Sequence, residues 1–159
     1  MARVRNLEIK AVVAKPRILA RRVRELRARF VSDERQTDTY FHVSSGRLKL
    51  RERTGGPGEL IFYRRPERTA KRVSDFFLYP VDDSRALKRF LGDSFGVRVV
   101  VAKRRAVYLH KNARIHLDGV KGLGHFAEIE VVINRGERQA QRLMTDLLRR
   151  LGLCGCDLF

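Results

Sequence analysis

Near the C-terminus, residues 125–133 place two carboxylates on one side of a strand and a row of apolar side chains on the other. Successive side chains of a strand point to opposite faces, so Glu128 and Glu130 share a face and lie about 7 Å apart along it. Residues 6–10 repeat this design near the N-terminus, with Glu8 and Lys10 on one face. Like charges this close repel each other unless a cation or a basic group lies between them. The pattern therefore predicts a divalent metal held by carboxylates, beside a polyanion held by Lys and Arg.

The charge of the whole chain points to the same kind of partner. Its 159 residues include 35 Lys and Arg against 18 Asp and Glu, a net charge of +17. This excess predicts an anionic partner but does not choose among a nucleotide, a polyphosphate, nucleic acid and an acidic membrane surface. No apolar run has the length of a membrane span, and no signal-peptide core follows Met1. We expect one soluble, cytoplasmic domain covering residues 1–159.

The periodicity of apolar residues predicts eight strands and three helices. Pro16 opens a helix to about residue 30, a cap at residues 82–84 opens a second to about residue 92, and a third ends at about residue 151. The predicted strands are 3–14, 36–43, 47–53, 59–65, 72–80, 97–109, 113–120 and 125–133. Strands in hairpins with a few helices indicate an α+β fold, in which an antiparallel sheet is largely closed into a barrel.

Most of these strands have one charged face and one apolar face. Two alternative arrangements of a barrel are compatible with that pattern. In an ordinary barrel the apolar faces meet inside and the charged faces are solvated. In the inverse arrangement the charged faces line a wide interior, and the three amphipathic helices cover the apolar outer faces. The alternation itself does not decide between the two.

The motifs that carry these faces resemble the CYTH superfamily, the triphosphate tunnel metalloenzymes, which include class IV adenylyl cyclases and thiamine triphosphatases. The resemblance runs along nearly the whole chain, and it is greatest to the short proteins labelled class IV adenylyl cyclase. It implies an eight-stranded antiparallel tunnel, with the charged faces inside, covered by about three helices. The segments that carry it are residues 6–10, 36–41, 46–51, 103–105, 114–118, 122–124 and 126–130.

The resemblance also assigns roles to residues of this chain. Mg²⁺ or Mn²⁺ would be held by Glu8, Glu128 and Glu130, and these three residues together with Lys10 would form the catalytic set. Hard carboxylate oxygens suit these ions, and arginine forks suit bidentate phosphate contacts. The expected phosphate-binding residues are Lys10, Lys49, Arg51, Arg53, Arg65, Lys103, Arg105 and Arg114.

The chain departs from the family pattern at two points. Asn6 stands where the family signature has a first Glu, which removes one negative charge and weakens or removes one metal position. Only one of Arg64 and Arg65 can face inward, because adjacent strand residues have opposite parity. Asp118 is a further candidate for the tunnel wall. His116 is another, although a surface or hydrogen-bonded histidine is the simpler interpretation.

The resulting hypothesis is an enzyme of triphosphate chemistry. The resemblance favours a class IV adenylyl cyclase-like reaction, from ATP to cyclic AMP and pyrophosphate. A triphosphatase acting on inorganic triphosphate, thiamine triphosphate, a nucleoside triphosphate or RNA 5′-triphosphate is the alternative. A non-catalytic module that binds polyphosphate or RNA is an alternative of another class. The expected partner is a nucleotide or polyphosphate substrate and not a membrane, and weak nucleic-acid binding and a homodimer are left open.

Overall fold

The computed structural model describes residues 2–64, 72–134 and 136–154, with side chains everywhere in these ranges except residues 2–4 and 72–76. The described part contains eight strands and three helices. The strands are β1 (Ala2–Val12), β2 (Arg29–Phe41), β3 (Arg47–Arg53), β4 (Gly58–Arg64), β5 (Arg72–Val81), β6 (Val97–His110), β7 (Ala113–Val120) and β8 (Gly124–Val132). The helices are α1 (Pro16–Glu25), α2 (Ser84–Phe95) and α3 (Glu137–Leu151). None of these helices is long and apolar enough to cross a membrane.

The eight strands form a closed antiparallel barrel in the order β1-β5-β4-β3-β2-β6-β7-β8. The first and last strands close the ring, with Glu8 opposite Glu130 and Lys10 opposite Glu128. Long hairpins supply most of the other pairings, and the two longest strands, β2 and β6, pair along most of their length. The predicted α+β barrel covered by three helices is confirmed.

Helix α1 is shorter than its apolar spacing predicts. Pro16 lies in its first turn, as expected, but the helix ends at Glu25. Arg27 has a φ of 55°, in the left-handed region that a right-handed helix cannot contain. The chain then enters β2, so Phe30, predicted to lie in the helix, is a strand residue whose ring packs edge-on against Tyr108 at a centroid distance of 5.5 Å. The predictions of a helix to residue 30 and of a strand beginning at 36 were wrong.

The main apolar core lies outside the barrel, between its wall and helices α1 and α3. The strand residues in this core are Leu7, Ile9, Ala113, Ile115, Ala127, Ile129 and Val131. The helix residues are Leu19, Val23, Leu26, Ala140, Met144, Leu147 and Leu151. Each fully buried large aliphatic side chain here contributes roughly 1.5–3 kcal/mol through its removal from water. The helices cover the apolar outer face, and the charged faces consequently line the interior.

Helix α2 covers a different part of the wall. Asp83 caps its N-terminus by accepting a hydrogen bond from the Ala86 amide at 2.9 Å. Leu87 and Leu91 pack on a second apolar cluster that includes Phe41 and Leu50 of the barrel wall. Together the helices bury the apolar outer face of the wall, while backbone pairing between the strands sets their register.

Candidate active site

The inner wall of the barrel carries an unusual number of buried polar side chains. Residues opposite each other in an antiparallel pair share a face, so the register places every second residue of each strand inside. The buried polar residues of the described part all lie on this face except Thr39; they are Asn6, Gln36, Asp38, Lys49, Arg105, His116 and Asp118. Buried charges need partners, and the wall provides them in three connected groups.

The first group is centred on Asp38, which is 2% exposed. Lys49 Nζ donates to its Oδ2 at 2.8 Å, and Arg51 donates from Nε and Nη2 at 2.8 and 2.9 Å. Burial by itself raises the pKa of Asp38, but the Arg51 hydrogen bonds and the charges of Lys49 and Arg51 outweigh it and hold the pKa well below its usual range. Asp38 is therefore an anion that fixes two cationic side chains of β3.

The second group is centred on Asp118 and Arg105. Arg105 donates from Nε and Nη2 to the two oxygens of Asp118 at 2.7 and 2.6 Å, and from Nη2 to Glu128 Oε2 at 2.9 Å. Lys103 joins this group to the first, since its Nζ lies 3.6 Å from Asp118 Oδ2 and 4.0 Å from Asp38 Oδ2. Burial, followed by the charge of Arg105, lowers the pKa of Lys103 to about 8.

The third group consists of His116, Glu128 and Glu130, whose ligand atoms lie within 4.8 Å of one another. His116 Nδ1 is 3.9 Å from Glu130 Oε1. Burial, followed by the charge of Glu128, raises the pKa of Glu130, whereas Arg105 holds the pKa of Glu128 well below its usual range against the effect of burial. Burial and the charge of Arg105 lower the pKa of His116 to about 3, so its imidazole is neutral.

These side chains fit a divalent metal. Glu8 lies directly opposite Glu130 across the β1–β8 pair, and its charge contributes to the raised pKa of Glu130, but it does not belong to the group whose ligand atoms lie within 4.8 Å of one another. Among the described side chains, Asn6 Oδ1 and His116 Nδ1 are buried atoms without a hydrogen-bond partner. A cation would relieve the repulsion that raises the pKa of Glu130, and oxygen-rich donor sets suit Mg²⁺ and Mn²⁺.

Most of the residues predicted from the sequence lie on this face. Lys10 is opposite Glu128, and its Nζ lies 5.4 Å from the centre of the Phe126 ring. Arg53 lies away from the metal group, where it donates to Glu59 at 2.7 Å. The full set of predicted residues with inward parity is Glu8, Lys10, Lys49, Arg51, Arg53, Lys103, Arg105, Arg114, Glu128 and Glu130.

Three arginines differ from the other predicted residues in exposure, parity or coverage. Arg114 has inward parity and lies opposite Glu130, but its side chain is exposed. Arg64 is exposed beside Phe62 on the outer parity of β4, with its guanidinium carbon 5.9 Å from the centre of that ring. Arg65, the residue assigned to phosphate binding, lies outside the described residues.

Sequence reasoning missed the residues that hold the cations in place. Asp38 was not a candidate, and Asp118 was only a further wall residue, because an isolated Asp in a basic chain has no local signature. Their inward parity on strands rich in Lys and Arg is the available signal. His116 was considered a wall residue, but its closeness to Glu128 and Glu130 depends on the pairing of β7 with β8, which local spacing does not reveal.

Comparison with known proteins gives one family and several similar structures. Residues 5–157 match the family model described as the CYTH domain. A Pyrococcus horikoshii protein has 28% sequence identity and a TM-score of 0.87, with 97% of this chain and 94% of that chain covered. A candidate adenylate cyclase from Vibrio parahaemolyticus has 20% identity and a TM-score of 0.78, with 97% and 92% covered. A candidate adenylyl cyclase from Hippeastrum, described as having a dominant triphosphatase activity, has 17% identity and a TM-score of 0.66, with 93% and 88% covered. Among curated proteins, this sequence has no significant match.

Proposed function

Because the chain belongs to the CYTH domain family, we propose that it is an enzyme that binds a triphosphate inside its barrel and carries out metal-dependent phosphate chemistry on it. The observation that carries this proposal is the set of linked cations on the inner wall. Lys49 and Arg105 are 9% and 4% exposed, and both lie beside carboxylates. Burying so many ionised groups is costly for a fold, and such clusters concentrate at functional sites.

The arrangement leaves donors for phosphate oxygens. A guanidinium has five N–H groups, and the hydrogen bonds of Arg51 and Arg105 within the described part use only Nε and Nη2. The Nη1 groups can therefore bind a ligand while Asp38 and Asp118 keep the side chains in place. Preorganised donors of this kind stabilise the charge that develops on a leaving phosphate. A metal held by Glu8, Glu128 and Glu130 would neutralise further phosphate charge.

A nucleotide is favoured over a bare triphosphate by a cavity at the rim of the barrel. It is an open groove of about 450 Å³, and its lining includes Gln36, Lys103, Lys121 and His125. This size lies within the range of small-molecule sites, and Lys103 connects the cavity to the cation groups. With ATP as the substrate, the ribose 3′-oxygen would bond to the α-phosphorus and pyrophosphate would leave, giving cyclic AMP.

Hydrolysis is the second candidate reaction. The same wall would hold the triphosphate, and water would attack the γ-phosphorus in place of the ribose hydroxyl. The observation in its favour is the fold shared with the Hippeastrum protein, for which triphosphatase activity is stated to be dominant. The two reactions differ in where the nucleophile is placed and not in how the phosphates are held.

One assay tests the proposal and separates the two reactions. The protein is incubated with ATP, inorganic triphosphate or thiamine triphosphate, with Mg²⁺, Mn²⁺ or a chelator, and phosphorus NMR identifies the products. We expect metal-dependent turnover, with cyclic AMP and pyrophosphate from ATP. ADP and inorganic phosphate from ATP, without cyclic AMP, would assign the protein as a triphosphatase. Tight binding of all three compounds without any product, unchanged by chelator, would contradict the enzyme and favour a binding module.

The lowered pKa of Lys103 predicts a pH dependence of triphosphate binding. A bound phosphate adds negative charge and raises the pKa of this ammonium from about 8 toward its ordinary 10.5, so binding takes up a proton in this window. Affinity should therefore fall as the pH rises above 8, by at most about tenfold per pH unit. Calorimetric titration with tripolyphosphate at several pH values measures the slope. A chelator is present, because metal binding would release the proton that Glu130 keeps through its raised pKa.

The Lys103→Arg variant should lose this slope, because a guanidinium stays charged throughout the window. Lys121→Arg, at the exposed rim of the same cavity, is the matched control and should keep it. Equal slopes in the wild type and in Lys103→Arg would show that another group takes up the proton.

A further inference from the structure

We propose that His116 is a nitrogen ligand of the divalent metal, and that the site consequently prefers Mn²⁺ to Mg²⁺. The proposal rests on the proposed function only in requiring a metal at the carboxylates of β8. The proposal adds a nitrogen ligand to the carboxylates of Glu8, Glu128 and Glu130, and it also identifies the preferred ion.

The geometry of the three side chains carries the argument. Two ligands of one ion, each bonded at about 2.1 Å, lie roughly 3 Å apart when adjacent and about 4.2 Å apart when opposite. His116 Nδ1 and Glu130 Oε1 are 3.9 Å apart, and the ligand atoms of His116, Glu128 and Glu130 all lie within 4.8 Å of one another. Closing these separations to those of one ion requires side-chain rotations that move the ligand atoms by roughly an ångström.

The surroundings of His116 also point to a ligand. The residue is 6% exposed, and its Nδ1 has no hydrogen-bond partner among the described residues. A buried polar atom without a partner costs about 1–3 kcal/mol, so folded proteins rarely keep one without a use. In the tautomer protonated at Nε2, the neutral imidazole would present a lone pair at Nδ1, which lies 3.9 Å from Glu130 Oε1.

The register of the strands explains why these atoms meet. His116 of β7 lies directly opposite Glu128 of β8, and Glu130 follows two residues along the same inner face. Opposite side chains in an antiparallel pair have Cβ atoms about 4.5–5.5 Å apart, which suits two ligands of one ion. The position of the imidazole is thus set by backbone pairing and not by a mobile loop.

A nitrogen ligand changes which metal the site prefers. Mg²⁺ favours oxygen ligands and gives up its waters reluctantly. Carboxylates suit Mg²⁺ and Mn²⁺ alike, whereas imidazole suits first-row transition ions, so of these two ions a site that adds one imidazole to its carboxylates favours Mn²⁺. Replacing the nitrogen with an oxygen should remove most of this preference.

The test compares the wild type with His116→Asn, whose amide oxygen lies near the position of Nδ1. Mn²⁺ and Mg²⁺ are titrated separately by calorimetry, and the Mn²⁺ complexes are examined by pulsed EPR for coupling to ¹⁴N. We expect ¹⁴N coupling in the wild type and its loss in the variant. The ratio of Mn²⁺ to Mg²⁺ affinity should fall roughly tenfold in the variant.

His42→Asn is the matched control, because His42 is an exposed residue that follows β2, with its ring beside Gly96. It should change neither the coupling nor the ratio. If His116→Asn does not fold, wild-type protein containing ¹⁵N-labelled histidine decides the question, because the coupling must change from the ¹⁴N to the ¹⁵N pattern.

The outcomes separate this proposal from the proposed function. Bound Mn²⁺ that supports turnover but shows no nitrogen coupling would overturn the role of His116 and leave the metal-dependent enzyme in place. A wild-type protein that binds neither ion, and whose turnover ignores chelator, would overturn both.

Discussion

Replacing Asp38 with alanine is expected to lower the free energy of unfolding by about 3–5 kcal/mol, since removing one partner of a buried ion pair leaves uncompensated charge. Lys49 and Arg51 both donate to Asp38 at 2.8–2.9 Å, and Lys103 is 4.0 Å away. Without the carboxylate, these cations repel one another in a part of the wall that water reaches poorly. Urea unfolding of the two proteins measures the difference.

Asp33 on the same strand provides a matched control. It also accepts two hydrogen bonds from one arginine, at 2.8 and 2.7 Å from Arg104, but that arginine side chain is 73% exposed. Asp33→Ala should therefore have a much smaller effect, because solvent screens the exposed pair. Because the two ion pairs have similar geometry, the difference between the two losses of unfolding free energy isolates the contribution of burial.

A ligand should reverse part of the Asp38→Ala defect. Tripolyphosphate brings negative charge to the cations that have lost their partner, so it should raise the melting temperature of this variant more than that of the wild type. Asp38→Asn, which keeps the shape of the side chain, serves if the alanine variant does not fold. A variant as stable as the wild type, and no better stabilised by tripolyphosphate, would contradict the role given to Asp38.

Glu130→Gln is expected to reduce metal-dependent turnover by at least about a hundredfold, the scale on which preorganised electrostatic groups contribute to catalysis. Without metal, the same variant should be as stable as the wild type or more stable by about 1 kcal/mol. Burial and the nearby Glu128 disfavour the ionised form of Glu130, as its raised pKa indicates, and a neutral amide removes that cost. Turnover is measured with Mn²⁺, and thermal unfolding with a chelator.

Glu128→Gln should behave differently, although its loss of activity should be similar. Glu128 accepts a hydrogen bond from Arg105 at 2.9 Å, so this variant loses an attractive partner and should be less stable without metal. Glu52→Gln, on the outer parity of β3 where Glu52 pairs with Lys88 at 2.7 Å, should change neither quantity. Full activity of both Glu130→Gln and Glu128→Gln would show that these two carboxylates do not belong to the active site.

The faces of the strands could be predicted from the sequence, because alternation is a local property. The ranges of β3 and β7 were correct, and Glu8, Lys49, Arg51 and Glu128 all lie on the inner face that alternation and the family resemblance gave them. Alternation did not reveal which face is the inner one. The helices decide this, since α1 and α3 bury the apolar side of the wall.

Other features depended on information that no local window contains. The first half of β2 could not be recognised in the sequence, because Leu26 and Phe30 continue the apolar spacing of α1. The helix ends before Arg27, whose φ is positive. Asp38, Asp118 and His116 acquire their roles through strand pairing between residues that are more than ten positions apart in the chain. Pairing of this kind is a property of the tertiary fold.

The closure of the barrel also constrains how such a sequence can change in length. Every strand of the closed barrel pairs with a neighbouring strand on each side. One extra residue inside a strand would therefore point its charged side chains into the outer apolar layer and its apolar side chains into the interior, and it would disturb the pairing with both neighbouring strands. The hairpin ends are free of this restriction; an added side-chain carbon at Gly56, for example, would meet no atom within 4 Å. Divergence among proteins of this fold should therefore appear as substitutions within strands and as insertions or deletions at the turns. Peptide tags or reporter domains placed in the 54–57 turn should likewise be tolerated better than at any position within a strand.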